Sequence, residues 1–86
     1  MNAIKWQPKA LRQLRDIRNE AMQERIVVAV RMLQHFPDCT NVKKLVKHQY
    51  EYRLKVGNFR IFFDFEGGTA KVVSIEEVKK RDERTY

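Results

Sequence analysis

The feature that most restricts the fold is an alternation of apolar and polar residues around Gly57-Asn58, in YEYRLKVGNFRIFFDF at 50–65. Such alternation is typical of strands with one buried face. Gly-Asn suits a two-residue hairpin loop, because both residues tolerate a positive φ. The resulting register sets Val56 opposite Phe59, Leu54 opposite Ile61, Tyr52 opposite Phe63 and Tyr50 opposite Phe65. We therefore predict a hairpin whose apolar face packs on the rest of the chain, since a slip of one residue would expose it.

The polar face of this hairpin pairs like charges, with Lys55 opposite Arg60 and Glu51 opposite Asp64. Directly opposed like charges destabilise a sheet by roughly 0.2–1 kcal/mol, so stability alone does not explain them. An anion held between Lys55 and Arg60 would, and Phe62 on the same face would give a base a flat surface to stack on. The alternative is a solvated face whose long side chains diverge.

Upstream, the spacing predicts a strand over 2–7 and then two helices. Pro8 suits the first turn of a helix, Asn19 is a plausible break, and the second helix should end near Phe36-Pro37. Apolar residues recur at helical spacing in both segments, which predicts a helical hairpin lying on a sheet. These residues are Ala10, Leu11, Leu14 and Ile17, then Met22, Ile26, Ala29, Val30 and Leu33.

A lysine-rich connection over 37–49 follows the helices, in which Val42, Leu45 and Val46 are expected to contact the core. The period then changes to two, and three strands follow. The last strand, over 70–78, should pair through a Gly67-Gly68 loop that sets Lys71 opposite Asp64, Val73 opposite Phe62 and Ile75 opposite Arg60. The predicted class is α+β: a single β-α-α-β-β-β domain over 1–86, with the helical hairpin packed on an antiparallel sheet.

Charge points to the kind of partner. The chain has a formal net charge of +7, and basic residues crowd 41–60, which makes a polyanion, with nucleic acid first, the expected partner. One cysteine, Cys39, cannot form an internal disulfide, which fits a reducing cytoplasm. No apolar run reaches the length of about 18 residues that a membrane span needs, and the N-terminus lacks a signal-peptide core. We expect a cytoplasmic protein with no membrane partner.

The order strand, two helices, three strands, with YRLKVGNFRIFFDF and a closing SIEEVKKRDERTY, resembles the RelE/ParE superfamily, the toxin halves of type II toxin–antitoxin pairs. The resemblance spans the whole chain. Its most specific element is Phe59-Arg60-Ile61-Phe62-Phe63 in the hairpin, and the second is a basic cluster just before a C-terminal Tyr86.

The resemblance implies one of two activities. RelE-like members cut messenger RNA in the ribosomal A site without a metal or other cofactor: the RNA's own 2′-hydroxyl attacks the adjacent phosphorus and leaves a 2′,3′-cyclic phosphate and a 5′-hydroxyl. ParE-like members share the fold and poison DNA gyrase. Either would be neutralised by an acidic antitoxin, through which the complex would bind operator DNA. A basic binding module without activity is the third possibility.

Carried over by position, the RelE-like catalytic residues are Arg60, Tyr86 and either Lys80 or Arg81, while Glu51 stands where RelE has a lysine. Arg53 matches a strand cation of the family. The remaining residues expected to bind RNA are Lys55, Phe62, Lys43, Lys44 and Lys47. Glu51 is a candidate general base or a partner for Arg53.

The chemistry of these residue types agrees with that assignment. A guanidinium fork can stabilise the charge that builds on non-bridging phosphate oxygens during in-line attack, and such a donor is typically worth about 3–4 kcal/mol. Glu51, His48 and Tyr86 are the candidate acids and bases; a lysine would serve only where neighbouring cations lower its pKa. His35 suits a helix C-terminus. Cys39 is expected to be a loop or core thiol, and no cluster has the spacing of metal ligands.

Overall fold

The computed structural model describes residues 1–81. Along the chain, the elements are β1 (Ala3–Trp6), α1 (Pro8–Arg15), α2 (Glu20–Arg31), a 3-10 helix (Met32–His35), β2 (Val42–Lys44), β3 (Tyr52–Val56), β4 (Phe59–Gly67) and β5 (Lys71–Lys80). The predicted α+β order of one strand, two helices and a closing group of strands is confirmed.

The helices begin where the sequence predicted. Pro8 is the first residue of α1, where its missing N–H costs nothing. Asn19 caps α2: its side-chain oxygen accepts a hydrogen bond from the Met22 N–H at 3.1 Å. An asparagine cap satisfies one of the otherwise unpaired N–H groups of the first turn, so the predicted break at Asn19 is the start of the second helix.

The sheet has five strands in the order β1-β5-β4-β3-β2. The prediction of an antiparallel sheet is wrong for one pair, because β1 runs parallel to β5. The helices and the strands β2, β3 and β4 all lie between β1 and β5 in sequence, which provides the long connection that a parallel pair requires.

The fifth strand, β2, lies in the segment predicted to be a connection. Its three residues pair antiparallel with β3, with Val42 opposite Leu54. A three-residue strand is too short to show a period of two. Val42 and Leu45 are half-buried as expected, but the prediction that Val46 contacts the core is wrong, because its side chain is 82% exposed.

The β3–β4 hairpin has the predicted register at every position within the strands. Its five pairs are Tyr52–Phe63, Arg53–Phe62, Leu54–Ile61, Lys55–Arg60 and Val56–Phe59. Gly57 in the loop takes a φ of 56°, a conformation that favours glycine. Tyr50 does not lie opposite Phe65, because β3 begins only at Tyr52.

The predicted β4–β5 register is wrong. Asp64 lies opposite Ser74, where Lys71 was expected, and Phe62 lies opposite Glu77. The loop holds three residues, 68–70, and the pairing shifts between Phe62 and Phe63, where Glu76 is an extra residue on β5. A bulge of this kind cannot be read from a period of two, because it interrupts that period.

The core lies between the helices and one face of the sheet. Its fully buried members include Ile26, Val30 and Leu33 from the helical segment. The sheet contributes Leu54, Val56, Ile61, Phe63, Val73, Ile75 and Val78. Within residues 1–81, neither helix is long and apolar enough to cross a membrane. The alternate residues of β3, β4 and β5 face away from this core, and we call that side of the sheet the outer face.

Candidate nucleic-acid interface

Three cations form a row across the outer face. Lys55 on β3 lies opposite Arg60 on β4, and Arg60 lies opposite Lys79 on β5. None of the three is ion-paired to a carboxylate among residues 1–81. We call Lys55, Arg60 and Lys79 the cationic row. Like charges opposed on adjacent strands repel, so the row favours an anion above it, and Arg60 at its centre is the residue best placed to contact that anion.

A second pair of cations lies beside the row. Arg53 faces Lys43 on β2 and is two residues from Lys55 on β3. The Nε–H of Arg53 is buried without a hydrogen-bond acceptor among the described residues. A buried donor left unpaired costs about 1–3 kcal/mol. An oxygen ligand that reached this group would recover that cost.

Lys44 and Lys47 are the other two lysines predicted to bind RNA. Lys44 lies opposite Tyr52 and therefore alternates to the other side of the sheet from Lys43. Lys47 is exposed in the loop before β3 and has a φ of 53°, an uncommon conformation for a residue with a side chain. Lys43 therefore belongs to the outer face and Lys44 does not.

Phe62 is on the outer face as predicted, but it is covered. Its side chain is 7% exposed. The His48 ring stacks on it with centroids 5.0 Å apart and planes 18° apart, and the Tyr50 ring lies 5.7 Å away at 29°. A base cannot reach the Phe62 ring without displacing its cover. We call His48, Tyr50 and Phe62 the ring cluster; its exposed member is His48.

Glu51 is bound to the neighbouring strand. Its backbone N–H donates to Asp64 Oδ1 at 2.8 Å, and its carboxylate accepts a hydrogen bond from the Phe65 N–H at 3.1 Å. It is not ion-paired with Arg53 among residues 1–81. Glu51 precedes Lys55 by four residues, about 13 Å along an extended chain. This separation argues against Glu51 as the base for a phosphate held at Arg60.

Asp64 and Glu76 lie near Glu51, and the three carboxylates form an acidic end of the outer face. Burial raises the pKa of Asp64, and the charges of Glu76 and Glu51 add to the rise, while the hydrogen bond from the Glu51 backbone opposes it. Ser74 donates its hydroxyl to Glu76 Oε2 at 2.5 Å. The outer face is therefore divided, with carboxylates at one end and the cationic row at the other.

The two adjacent candidates at the end of β5, Lys80 and Arg81, lie on different sides of the sheet. Lys80 lies opposite Phe59, and it lines a hollow with Met22 and Ile17 beside the helices. It is thus on the other side of the sheet from Arg60. The backbone N–H of Arg81 donates to Asn58 O at 2.7 Å, which continues the pairing, so alternation sets Arg81 on the side of Lys79. Tyr86 lies outside the described residues.

Sequence reasoning missed the ion pair that neutralises Glu77. Lys9 Nζ donates to Glu77 Oε1 at 2.8 Å, and this hydrogen bond, with the charge of Glu77, raises the pKa of Lys9. Glu77 lies opposite Phe62, and its charge is thereby matched by α1. The contact joins residues 68 positions apart, so no local sequence pattern predicts it.

The remaining candidates have no role at the outer face. His35 is exposed in the last turn of the 3-10 helix. Cys39 is half-buried against the core, and burial, followed by the charge of Asp38, raises the pKa of its thiol, which disfavours the reactive thiolate. Within residues 1–81 no group of His, Cys, Asp and Glu side chains could hold a metal ion.

A groove of about 750 Å³ lies between α2 and the edge of the sheet at β3. Val28 and Met32 line it and are 49% and 52% exposed. Arg25 and Lys55 lie at its border. We call it the α2 groove. Exposed apolar side chains beside cations are typical of a surface that binds another protein chain.

Known protein families support the assignment made from the sequence. Residues 4–84 match the sequence model described as the ParE toxin of the type II toxin–antitoxin system, parDE. No curated protein sequence is significantly similar to the chain.

Two solved structures share the fold. A chain of the archaeal RelE–RelB complex from Pyrococcus horikoshii OT3 has a TM-score of 0.75 and 21% identity, with 95% of this chain and 97% of that chain covered. A chain of the RelB–RelE antitoxin–toxin complex from Methanococcus jannaschii has a TM-score of 0.65 and 18% identity, with 88% of each chain covered. At these identities the likeness establishes the fold.

Proposed function

The chain belongs to the ParE toxin family of type II toxin–antitoxin systems, within the RelE/ParE superfamily. From the cations of its outer face we propose that it is an endoribonuclease that cuts messenger RNA in the ribosomal A site. The observation that carries the proposal is the cationic row. Arg60 stands between Lys55 and Lys79, and the described residues supply no carboxylate to neutralise them.

The row suits transfer of a phosphoryl group by the RNA itself. The 2′-hydroxyl of one nucleotide attacks the adjacent phosphorus, the bond to the 5′-oxygen breaks, and the products are a 2′,3′-cyclic phosphate and a 5′-hydroxyl. Negative charge grows on the non-bridging oxygens in the transition state. Arg60 would meet it with two parallel N–H donors, and Lys55 and Lys79 would add positive charge on both sides. Charge stabilisation of this kind is typically worth about 3–4 kcal/mol per donor.

Arg53 and Lys43 would hold a flanking phosphate. They lie opposite each other beside the row, and guanidinium and ammonium groups are charged donors suited to phosphate oxygens. Contacts of this kind position the strand without reading its sequence. They also make binding depend on salt, since each neutralised phosphate releases counterions.

Proton transfer is assigned to the end of the chain. Arg81 follows Lys79 on the outer face, and Tyr86 is the candidate acid or base, in line with the resemblance to RelE. The carboxylate of Glu51 accepts a hydrogen bond from the Phe65 backbone and lies at the other end of the outer face. A positioned acid or base contributes about 10²–10⁴-fold to a rate, so deletion of Tyr86 should cause a measurable loss in the rate of RNA cleavage.

A lethal activity in the cytoplasm requires a partner that blocks it. The two solved relatives in the fold comparison are toxin–antitoxin complexes. We therefore assign this chain an acidic antitoxin whose disordered segment folds on binding and through which the complex binds operator DNA. Opposite charge would speed their association.

Poisoning of DNA gyrase is the second candidate, and the matched sequence model favours it because that model describes ParE. The two activities predict different consequences in cells and in purified systems. A ribonuclease stops translation and leaves cut messenger RNA, whereas a gyrase poison induces the DNA-damage response.

The deciding experiment compares wild type, Arg60→Ala and the control Arg12→Ala on messenger RNA in programmed ribosomes, and on gyrase supercoiling. Arg12 is an exposed arginine in α1. We expect cleavage by wild type and Arg12→Ala and none by Arg60→Ala, with gyrase unaffected throughout. Inhibition of gyrase without RNA cleavage by wild type would replace the first candidate by the second. Cleavage by Arg60→Ala at the wild-type rate would remove the cationic row from the mechanism.

A further inference from the structure

The ring cluster has one exposed member, and we propose that His48 is the platform on which a base of the bound RNA stacks. The inference rests on the proposed ribonuclease function and names the part of the substrate that the outer face recognises besides phosphate. Sequence alternation pointed to Phe62 for this role. In the structure the ring that is exposed for stacking is that of His48, which covers Phe62.

The ring cluster gives His48 a firm support. Its ring lies nearly parallel to Phe62, at 18° and 5.0 Å, and Phe62 is buried on β4. The Tyr50 ring lies beside both, 5.9 Å from His48 and 5.7 Å from Phe62. One face of the imidazole is therefore covered by the protein, while the residue as a whole is exposed. The uncovered face can take a flat, polarisable partner.

The loop holds His48 in one orientation. Nδ1 accepts a hydrogen bond from the Tyr50 N–H at 3.0 Å, so the neutral ring carries its proton on Nε2. The Leu45 N–H donates to Glu51 O at 2.8 Å and closes the loop around it. A ring fixed before binding loses little conformational freedom when a base stacks on it, and preorganisation of this kind improves affinity.

The platform lies next to the phosphate-binding cations. Phe62, beneath His48, is opposite Arg53. It is also two residues from Arg60 on the same strand, about 7 Å along the chain. A base on His48 would thus leave its phosphates at Arg53 and at the cationic row.

Aromatic side chains beside a cationic track are how proteins bind single-stranded nucleic acid. RNA whose bases are unstacked presents them to aromatic rings. A folded protein partner would present no regular succession of flat rings and phosphates. The chemistry therefore favours an extended single strand of RNA as the ligand of this surface.

The test separates stacking from catalysis by measuring equilibrium binding. The probe is a short, fluorescently labelled RNA with 2′-O-methyl groups, which cannot supply the attacking hydroxyl; its anisotropy gives Kd for each protein. Loss of one stacked base is worth about 1–3 kcal/mol, or about 5–150-fold in Kd. We expect His48→Ala to weaken binding about tenfold and His48→Phe to stay within about twofold of wild type.

Two controls isolate the ring face. His35→Ala removes the other histidine, which is also exposed and lies after α2, and should leave Kd unchanged. A probe with the same backbone but abasic riboses should bind wild type and His48→Ala equally, because the base that stacks is absent. Both His48 variants lose the acceptor for the Tyr50 N–H, so their comparison with each other is independent of that bond.

Each outcome of the binding and cleavage measurements has one interpretation. Equal Kd for wild type and His48→Ala overturns the platform, even if RNA cleavage in ribosomes is found. His48→Phe as weak as His48→Ala overturns it too, since the nitrogen atoms would then be responsible. If wild type binds the probe through His48 but cleaves no messenger RNA, the platform stands and the proposed activity fails. No binding of the probe by wild type overturns the platform, while the cleavage assay still decides the activity.

Discussion

The backbone N–H of Glu51 donates to the Asp64 carboxylate at 2.8 Å. The return contact is made by the Glu51 side chain, which accepts from the backbone of β4 at Phe65. Two carboxylates that the sequence sets opposite each other are thus used to join the start of β3 to its neighbour. This arrangement gives Glu51 a structural role at the start of β3.

Glu51→Gln should leave RNA cleavage within about twofold of wild type. The amide oxygen of glutamine can accept the Phe65 N–H as the carboxylate does, and the residue lies about 13 Å along the chain from Lys55. Loss of a general base would cost about 10²–10⁴-fold in kcat. Single-turnover cleavage in programmed ribosomes measures the difference.

Glu51→Ala is the companion variant. It removes the hydrogen bond and should lower the free energy of unfolding by about 1 kcal/mol, with little further loss of cleavage below its melting temperature. If Glu51→Gln lost cleavage by a hundredfold while its melting temperature was unchanged, Glu51 would be restored as the base.

Asp64→Asn should stabilise the protein at neutral pH. Burial and the charges of Glu76 and Glu51 raise the pKa of Asp64 above its ordinary 3.8, so the folded state binds this proton more tightly than the unfolded state. Asp64 therefore opposes folding increasingly as pH rises from its ordinary pKa to its raised one. The amide oxygen still accepts the Glu51 N–H, and relief of like charges is worth roughly 0.2–1 kcal/mol.

Urea unfolding at a series of pH values measures this effect. The advantage of Asp64→Asn over wild type should be small below pH 3.8, grow through the window above it, and then stay constant to neutral pH. Glu66→Gln, on an exposed residue two positions further along β4, is the matched control and should show no such growth. An advantage that shrank with rising pH would contradict the sign of the shift.

Much of the fold could be predicted because local signals agreed. The β3–β4 register follows from the alternation on both sides of Gly57, and the α2 start from Asn19. The β4–β5 register could not be predicted, since the extra residue Glu76 in the bulge breaks the period that the prediction used. β2 was missed because three residues carry no period.

The candidate site, too, could be predicted only in part from the sequence. Alternation within β3 and β4 correctly set Lys55 and Arg60 opposite each other on the outer face. It failed for Tyr50, because this residue precedes the strand and turns to the outer face, where it and His48 cover Phe62. Long-range contacts between elements, such as that of Lys9 in α1 with Glu77 in β5, have no signature in a single sequence.

Lys79→Ala should lower the activity, whereas Lys80→Ala should leave it near the wild-type level. Lys79 lies opposite Arg60 in the cationic row, and Lys80 lies opposite Phe59 on the other side of the sheet. Both are exposed lysines at the end of β5, so each variant controls for the loss of one positive charge from this strand. A charge-assisted contact is worth about 1.5–3 kcal/mol, and we expect Lys79→Ala to lose about tenfold or more in kcat/KM while Lys80→Ala stays near wild type. The reverse order would place the active surface on the helical side.

The antitoxin should bind the outer face. Its acidic segment would meet Arg53 and the cationic row, which are free of carboxylate partners among residues 1–81, and electrostatic attraction would make association fast and dependent on salt. Reversing two charges, Arg53→Glu with Lys55→Glu, should lower the association rate at least about tenfold and flatten its dependence on salt. Stopped-flow mixing of purified toxin and antitoxin over a salt series gives both quantities.

Arg12→Glu with Arg15→Glu makes the same change of charge on exposed residues of α1 and should have a much smaller effect. If wild type and both variants associated at one rate that salt did not change, the antitoxin would dock elsewhere, and the α2 groove, with Val28 and Met32 exposed, would be the surface to test.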